Sequence, residues 1–193
     1  MGPDPLEEAA PPLKIRAFFG LPVPKAQLRE LDPFLLACAT IAPAFRWTPA
    51  ANLHLTVRFI GQVERAIVDG VADRLARREL AGLELGLGEI GTFKRGRLAR
   101  VIWLQISLGA DAARALAEVV EAECVRSGLA PDTRPFKPHL TLARARAREG
   151  AALPPLPAAP ELPTWRAGEL VLYRSRLGRA GSVYEPLRTI RLS

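Results

Sequence analysis

The chain has only two histidines, His54 and His139, and each opens the same pattern of histidine, leucine, threonine and an aliphatic residue. Side chains alternate between the two faces of a β-strand, so each pattern places its histidine and its threonine on one face, roughly 6.6 Å apart along the strand. The leucine and the aliphatic residue lie on the other face. We therefore predict that His54 with Thr56 and His139 with Thr141 face each other across a cleft and act on one phosphate.

Two imidazoles and two hydroxyls suit general acid–base attack on a phosphodiester. A neutral imidazole takes a proton from water while an imidazolium gives a proton to the leaving oxygen, and each step contributes roughly 10²- to 10⁴-fold. Threonine hydroxyls donate hydrogen bonds to the non-bridging oxygens as charge builds there. Arg144 follows the second pattern and Arg58 follows the first, so both are candidates for charge-assisted contacts with phosphate. For Arg58, a solvated surface charge is an equal alternative.

Other chemistries have weaker support in the sequence. A zinc site needs three or more histidine, cysteine or carboxylate ligands at short spacing, and neither pattern offers a second ligand, so we predict no metal and no cofactor. The nucleophile pattern Gly-x-Ser-x-Gly and the phosphate-loop pattern Gly-x-x-x-x-Gly-Lys-Ser/Thr do not occur. A single strand histidine is usually structural, but the same titratable side chain in the same pattern twice favours a function.

Composition sets broad limits on the class of protein. The 193 residues are 49% hydrophobic, which fits one domain with a sizeable core. The formal charge of +7 comes mainly from arginine, which suits a polyanionic partner but is equally explained by a GC-rich genome. No apolar run approaches the roughly 20 residues of a membrane-spanning helix, so no membrane association is expected. Cys38 and Cys124 each lie in an apolar helical pattern, which indicates a reducing, cytoplasmic location.

Hydrophobic periodicity predicts the order strand, helix, motif strand twice along the chain. The predicted segments are 13–20, 24–37 and 52–60 in the first half and 101–107, 111–126 and 135–143 in the second. We therefore predict an α+β fold with a bilobal, pseudo-twofold duplication, in which two antiparallel sheets face a central cleft and the helices lie on the outside.

The remaining segments complete this expected organisation. A flexible tail is expected at residues 1–12, ahead of a single bilobal domain at 13–193. Residues 91–100 are rich in basic side chains and glycine and are expected to form a loop. The proline-rich stretch at about 145–164 is expected to be a long surface loop or a partly disordered flap. A closing hairpin is expected near the C-terminus, with its turn at residues 178–181.

In these residues the chain resembles the two-histidine (2H) phosphoesterases, and within them the RNA 2′,3′-cyclic phosphodiesterases, which are also described as 2′-5′ RNA ligases. The similarity covers nearly the whole chain. The residues that carry it are 16–19, Trp47, 52–57, 59–61, Phe93, 101–104, 136–144, Leu172, Ser175, Leu177, Gly181 and Tyr184.

The resemblance implies hydrolysis of a terminal 2′,3′-cyclic phosphate on RNA to a 2′-phosphate, and it also implies reversible 2′-5′ ligation. By the same resemblance, His54 and His139 are the catalytic pair, Thr56 and Thr141 bind phosphate, and Arg144 assists. The expected partner is RNA with a cyclic-phosphate end, bound by a monomer without an obligate protein partner.

Aromatic and basic residues beside the two patterns are further candidates for contacts with a base or ribose. The candidates for substrate contact are Arg58, Phe45, Trp47 and Phe136, and Phe93 is a further stacking candidate. Aromatic residues at strand ends belong more often to the core than to a binding surface.

Two other functions stay open at this point. The same chemistry would serve a small cyclic phosphate, such as an ADP-ribose derivative, or a 2′-5′ oligonucleotide. The chain would otherwise be a non-catalytic RNA-binding module in which the histidines only stack or hydrogen-bond.

Overall fold

A computed structural model describes residues 13–178 and 181–193 of the chain. The expected tail at 1–12 lies outside these residues, as do positions 179 and 180 of the expected hairpin turn. The described residues form nine strands and three α-helices, and the paired strands are antiparallel. The predicted α+β class is therefore confirmed.

The elements follow one another with short connections over most of the chain. The strands are β1 (Lys14–Pro22), β2 (Phe45–Trp47), β3 (His54–Glu64), β4 (Leu83–Arg95), β5 (Leu98–Leu108), β6 (His139–Ala145), β7 (Trp165–Ala167), β8 (Glu169–Gly178) and β9 (Gly181–Arg191). The helices are α1 (Lys25–Ile41), α2 (Arg65–Ala76) and α3 (Ala110–Arg126), and one 3₁₀ turn spans Ala50–Asn52.

Helix α1 begins directly after Pro24, whose fixed φ suits a helix start. Pro33 lies inside α1 without dividing it. A proline within a helix costs about 3 kcal/mol or more. Leu31, Phe34 and Leu35 are buried on one face of this helix, and their packing offsets that cost.

The strands form one connected sheet in the order β7-β4-β5-β6-β3-β1-β8-β9, with β2 paired to β6. The two motif strands, β3 and β6, are neighbours at its centre and share the single register pair Leu55 and Leu140. The prediction of two separate sheets that face each other is wrong in this respect, because the pairing of β3 with β6 joins the strands of both halves into one sheet. The link forms because each motif strand has a leucine backing that is buried when the two strands meet.

Alternation along the motif strands is as the pattern predicts. Leu55 and Val57 are at most 4% exposed and belong to the core, whereas His54 and Thr56, which alternate with them, are half-buried. Strand β6 follows the same rule at its own histidine and threonine. The core therefore lies behind the motif strands, and the polar pairs lie on the opposite face.

The basic segment at 91–100 is not a loop. Strands β4 and β5 continue through it and turn at Gly96, whose φ of +59° favours glycine. Cross-strand pairs such as Thr92 with Ile102 and Phe93 with Val101 hold the two strands together. The charged side chains hid this hairpin because an exposed strand face tolerates arginine and lysine.

The proline-rich segment lacks helix and strand after residue 151, as its composition indicates. Its leucines Leu153, Leu156 and Leu162 pack against the core. The segment is therefore an extended surface loop that is held against the domain, and not a partly disordered flap. The side-chain amide of Gln27 donates to the carbonyl of Pro163 (3.4 Å). Within residues 13–178 and 181–193, none of the helices has the length and apolar character needed to cross a membrane.

Candidate active site

A cleft of about 1030 Å³ opens on the polar face of the two motif strands. Both histidines and both threonines of the repeated pattern line it, together with Arg144. The five residues of the predicted catalytic and phosphate-binding set, His54, Thr56, His139, Thr141 and Arg144, therefore meet at one place.

The pairing of β3 with β6 sets the relative position of the two motifs. Leu55 is opposite Leu140. In an antiparallel pair, continuing this register by one residue in each direction places His54 opposite Thr141 and Thr56 opposite His139. Each histidine therefore has the threonine of the other motif as its cross-strand neighbour.

Each histidine is held through the same ring nitrogen by a backbone carbonyl two residues earlier. His54 Nδ1 lies 2.8 Å from the carbonyl oxygen of Asn52, and His139 Nδ1 lies 2.6 Å from that of Lys137. A carbonyl oxygen only accepts, so this geometry assigns the proton of the neutral ring to Nδ1 in both histidines. Nε2 is then the nitrogen that is free to take a proton, or to give one when the ring is charged.

Thr56 adds a contact that distinguishes the first motif. Its Oγ1 lies 3.0 Å from His54 Nε2, so the hydroxyl donates to the neutral ring. In the part of the chain that the structure describes, Thr141 forms no such bond with His139. The two halves of the site share their design but are not identical in detail.

Aromatic rings fix the plane of His54. Phe18 of β1 is stacked against it with ring centroids 4.6 Å apart, and Tyr184 of β9 meets it edge-on at 5.0 Å. Gly20 leaves room for this packing, because a Cβ there would lie 3.3 Å from both His54 Cδ2 and Phe18 Cε2 and 3.1 Å from the carbonyl oxygen of Leu55.

A second aromatic group holds His139. Phe93 of β4 meets its ring edge-on at 5.2 Å, and Trp103 of β5 lies 5.9 Å from it. The Trp103 indole lies directly over Gly91, where an added Cβ would come within 2.1 Å of its ring. Lys137 Nζ lies 4.2 Å from the centroid of the Trp103 ring, in a cation–π contact.

Both imidazoles are easier to deprotonate than a free histidine. Burial lowers the pKa of His54; the hydrogen bond to Asn52 opposes this shift, and the charges of Arg144 and His139 add to it. Burial also lowers the pKa of His139; its own backbone hydrogen bond opposes the shift, and Arg144 and Lys137 add to it. Arg144 therefore acts electrostatically on both histidines.

Arg58 lines the cleft, but its guanidinium is already engaged. It forms an ion pair with Glu121 of α3, lies 3.6 Å from Asp132, and donates to the carbonyls of Phe59 (2.8 Å) and Ala130 (2.7 Å). The alternative of a solvated charge does not describe it, because its side chain is only 10% exposed. Arg58 fastens α3 and the following segment to β3.

The aromatic candidates divide into two groups. Phe136 and Phe93 line the cleft. Phe45 does not, because it is 1% exposed and lies in the core. Trp47 is also absent from the cleft lining, and its indole N–H donates to the carbonyl of Ala42 (3.1 Å). Phe45 is therefore corrected from a substrate contact to a core residue, in line with the usual role of aromatics at strand ends. Trp47 is partly buried and packs against the core.

Phe18, Trp103, Lys137 and Tyr184 were missed as parts of the site. Phe18, Trp103 and Tyr184 reach the histidines from strands that are distant in the sequence, and no local pattern reports such contacts. Lys137 lies two residues before His139, but its cation–π contact is with the distant Trp103. Two signals were available: all four residues belong to the set that carries the family resemblance, and Lys137 precedes His139 by two residues as Asn52 precedes His54. Among the described residues, no group of three or more histidine, cysteine or acidic side chains is arranged to hold a metal ion.

The fold and the two matched histidine–threonine pairs define a two-histidine phosphoesterase, and sequence comparison agrees. A profile of the 2′-5′ RNA ligase superfamily matches residues 25–179. The chain belongs to this superfamily, as its resemblance indicated.

Known relatives cover most of the chain. A protein of Escherichia coli K12 named RNA 2′,3′-cyclic phosphodiesterase is 32% identical over 174 residues, covering 90% of this chain and 94% of the relative. A protein of Aeropyrum pernix with the same name is 31% identical over 144 residues, covering 72% of this chain and 82% of the relative.

Solved structures have the same fold. The crystal structure of E. coli LigT complexed with 3′-AMP superposes with a TM-score of 0.80 at 28% identity, covering 94% of this chain and 99% of that one. The crystal structure of a Thermus thermophilus protein, TT0787, superposes with a TM-score of 0.77 at 26% identity, covering 92% of this chain and 98% of the other.

Proposed function

We propose that the protein hydrolyses the terminal 2′,3′-cyclic phosphate of RNA to a 2′-phosphate by metal-independent acid–base catalysis. The observation that carries this proposal is the equivalent setting of His54 and His139. Each donates a hydrogen bond from Nδ1–H to a backbone carbonyl and lines the same cleft. Nε2 is therefore the ring nitrogen that exchanges a proton with the substrate. The names of the relatives support the substrate class.

One histidine acts as the base and the other as the acid. The neutral ring takes a proton at Nε2 from a water molecule, whose oxygen attacks the cyclic phosphorus. The imidazolium gives its Nε2 proton to O3′ as the P–O3′ bond breaks, which leaves the phosphate on O2′. The lowered pKa values of both rings favour the base form and make the acid form a readier proton donor.

The remaining polar groups bind the phosphate. Thr56 and Thr141 lie on the cleft face of their strands and donate hydrogen bonds to the non-bridging oxygens, where charge increases in the transition state. To do so, the Thr56 hydroxyl must rotate away from His54 Nε2. The same rotation leaves Nε2 without a hydrogen bond and able to exchange a proton. Arg144 supplies the positive charge.

Four further expectations are part of the proposal. The chain from residue 13 onward is a single domain of two duplicated lobes, which the matching orders β1-α1-β3 and β5-α3-β6 support. The protein acts as a monomer in the cytoplasm. Ligation through a 2′-5′ bond is the reverse of the same chemistry, with an RNA 5′-hydroxyl in place of water.

A direct test uses an oligonucleotide that ends in a 2′,3′-cyclic phosphate, incubated with the protein in EDTA. We expect a 2′-phosphate product by ³¹P NMR. His54→Ala and His139→Ala should each lower kcat by about 10³-fold with an unchanged melting temperature. Arg148→Ala, at an exposed position away from the cleft lining, is the control and should keep full activity.

Three results would overturn the proposal. They are a requirement for a divalent metal, a 3′-phosphate product, and full activity of His139→Ala. RNA binding without turnover by the parent, retained in the double His→Ala variant, would instead identify a binding module.

A further inference from the structure

The cations that line the cleft fall into two groups. Three of them, all facing the α3 side, are paired with acidic side chains: Arg58 with Glu121, Arg114 with Asp111, and Arg134 with Asp132. These pairs neutralise that wall locally.

The other group has no such partners. Arg16, Lys137 and Arg144 line the cleft, and within residues 13–178 and 181–193 none of them lies within ion-pair distance of a carboxylate. The Arg16 guanidinium instead lies over the face of the Phe59 ring, 4.9 Å from its centroid. These three side chains therefore give the cleft positive charge that no carboxylate of the described residues offsets.

Two more arginines extend this charge past the rim of the cleft. Arg46 of β2 is the direct cross-strand partner of Arg144 in β6, so both side chains project from the same face of the sheet. Val101 also pairs with Arg144. Arg100, the residue before Val101, has no partner in the β4–β5 pairing and forms a β-bulge. A bulge changes the direction in which a side chain leaves the strand.

The charges of Arg100 and Arg16 act on Arg144, and Arg46 is placed beside it by the strand pairing. Burial lowers the pKa of Arg144; Tyr184 opposes this shift, and the charges of Arg100 and Arg16 add to it. Like charges directly opposite each other destabilise a sheet. Arginines gathered without acidic partners point to an anionic ligand with several charges.

We propose that Arg16, Arg144, Arg46 and Arg100, the arginine track, bind successive phosphates of the RNA chain that leads to the reacting end. This rests on the proposed function, since it takes the cyclic phosphate to lie at the two histidines. Arg144 is the member that also serves the reacting phosphate. The rest of the RNA backbone leaves the cleft along the track and away from the acidic residues of the α3 side.

The track makes a prediction that the catalytic centre alone does not. Arg46 and Arg100 are not among the residues that line the cleft, so the proposal places them against the RNA chain and not against a mononucleotide bound at the histidines. Their replacement should weaken the binding of an oligonucleotide and leave turnover of cytidine 2′,3′-cyclic phosphate unchanged. The salt dependence should also change, because each lost phosphate contact on a single strand lowers the slope of log K against log salt by about 0.7.

The experiment measures binding by fluorescence anisotropy with a labelled single-stranded RNA of about ten nucleotides that ends in an ordinary 3′-hydroxyl. The test variant is Arg46→Gln/Arg100→Gln. The control is Arg114→Gln/Arg134→Gln, which removes the same charge from paired cations that lie in the cleft itself. We expect about tenfold weaker binding and a slope smaller by about 1.4 in the test variant at low salt, with less than about a twofold change in the control.

Each other outcome overturns the track. Equal losses in both double variants would mean that only net charge matters. Equal losses on the oligonucleotide and on cytidine 2′,3′-cyclic phosphate would place these arginines at the reacting centre. Competition by poly-aspartate as effective as that by RNA would indicate an acidic protein partner. The binding assay needs no turnover, so it tests whether the arginine track binds RNA even if the proposed activity is not found.

Discussion

Leu55 and Leu140 are the one register pair through which β3 and β6 are joined, and both side chains are at most 1% exposed. This pair sets how far apart the two histidine–threonine pairs stand. The active site is therefore positioned by an apolar contact on the opposite face of the strands, out of reach of the substrate.

Truncation of this contact should affect stability and catalysis together. Leu140→Ala is expected to lower the free energy of unfolding by about 2–5 kcal/mol and to lower kcat of the folded protein by about tenfold or more, because the two motifs lose their common support. Leu75→Ala is the matched control, since Leu75 is equally buried but lies in α2. It should cost similar stability in urea and keep kcat; equal kcat in both variants would contradict the expectation.

The pH profile should reflect the lowered pKa values of the two histidines. In the free protein burial holds the pKa of both rings below the ordinary histidine value, so the decline of kcat/KM with rising pH, as the acid loses its proton, should also lie below that value. Bound phosphate is an anion and stabilises imidazolium, so the alkaline limb of kcat should lie at higher pH than that of kcat/KM.

Removal of the Arg144 charge tests the direction in which this pH profile should move. Its charge lowers the pKa of both histidines, so Arg144→Gln should move both limbs of the kcat/KM profile to higher pH, besides lowering the rate. Arg134→Gln removes the same charge from a paired residue and should leave the limbs in place. A shift toward lower pH in Arg144→Gln would contradict the electrostatic assignment.

Gly91 is expected to be essential for the position of His139. A Cβ at residue 91 would lie 2.1 Å from Trp103 Cη2 and 2.2 Å from its Cζ2, so Gly91→Ala must displace the indole on which His139 and Lys137 pack. We expect kcat to fall by about 10²-fold with little change in KM.

A second substitution makes this expectation specific. Trp103→Phe removes Cη2 and Cζ2, the nearest two of the three colliding indole atoms, so it should restore part of the lost kcat when combined with Gly91→Ala. Gly70→Ala in α2, where a Cβ meets nothing closer than 3.7 Å, should leave kinetics unchanged. Failure of the rescue would show that residue 91 acts in some other way than through the indole.

Much of the site could be predicted from local patterns. Alternation in the motif strands fixed which side chains face the cleft, because a period of two reports a half-buried strand directly. The repetition of the same pattern predicted that the two distant motifs meet, and the family resemblance added the roles of their residues. The hairpin at 91–100 and the buried position of Phe45 could not be predicted, because charge and aromatic content do not report which face of a strand is covered.

Contacts between distant segments could not be predicted either. Phe18 and Tyr184 pack on His54 from strands that are far away in the sequence, and Arg58 is engaged by acidic groups on α3 and on the segment after it. A single sequence gives residue types and spacing along one strand. The partners of Arg58 depend on how α3 crosses the sheet, which is a property of the packed core.

Glu123 is expected to be the main electrostatic link between α2 and α3. Its carboxylate is 1% exposed and lies 3.0 Å from Arg74 Nε, 2.8 Å from Arg78 and 3.5 Å from Arg126. Burial raises its pKa, but the three arginines outweigh burial, so the net shift is downward. Its contribution to stability is therefore present above about pH 4.5 and is lost as pH falls.

Glu123→Gln should lower the free energy of unfolding by about 2 kcal/mol at neutral pH, because three partly exposed arginines lose their partner. The difference from the parent in urea denaturation should shrink as pH falls below about 4.5, because the unfolded parent's carboxylate takes a proton there and the native one only at lower pH. Glu118→Gln, an exposed position of the same helix, should change stability by less than about 0.5 kcal/mol. A difference that persists unchanged at acid pH would contradict an electrostatic role.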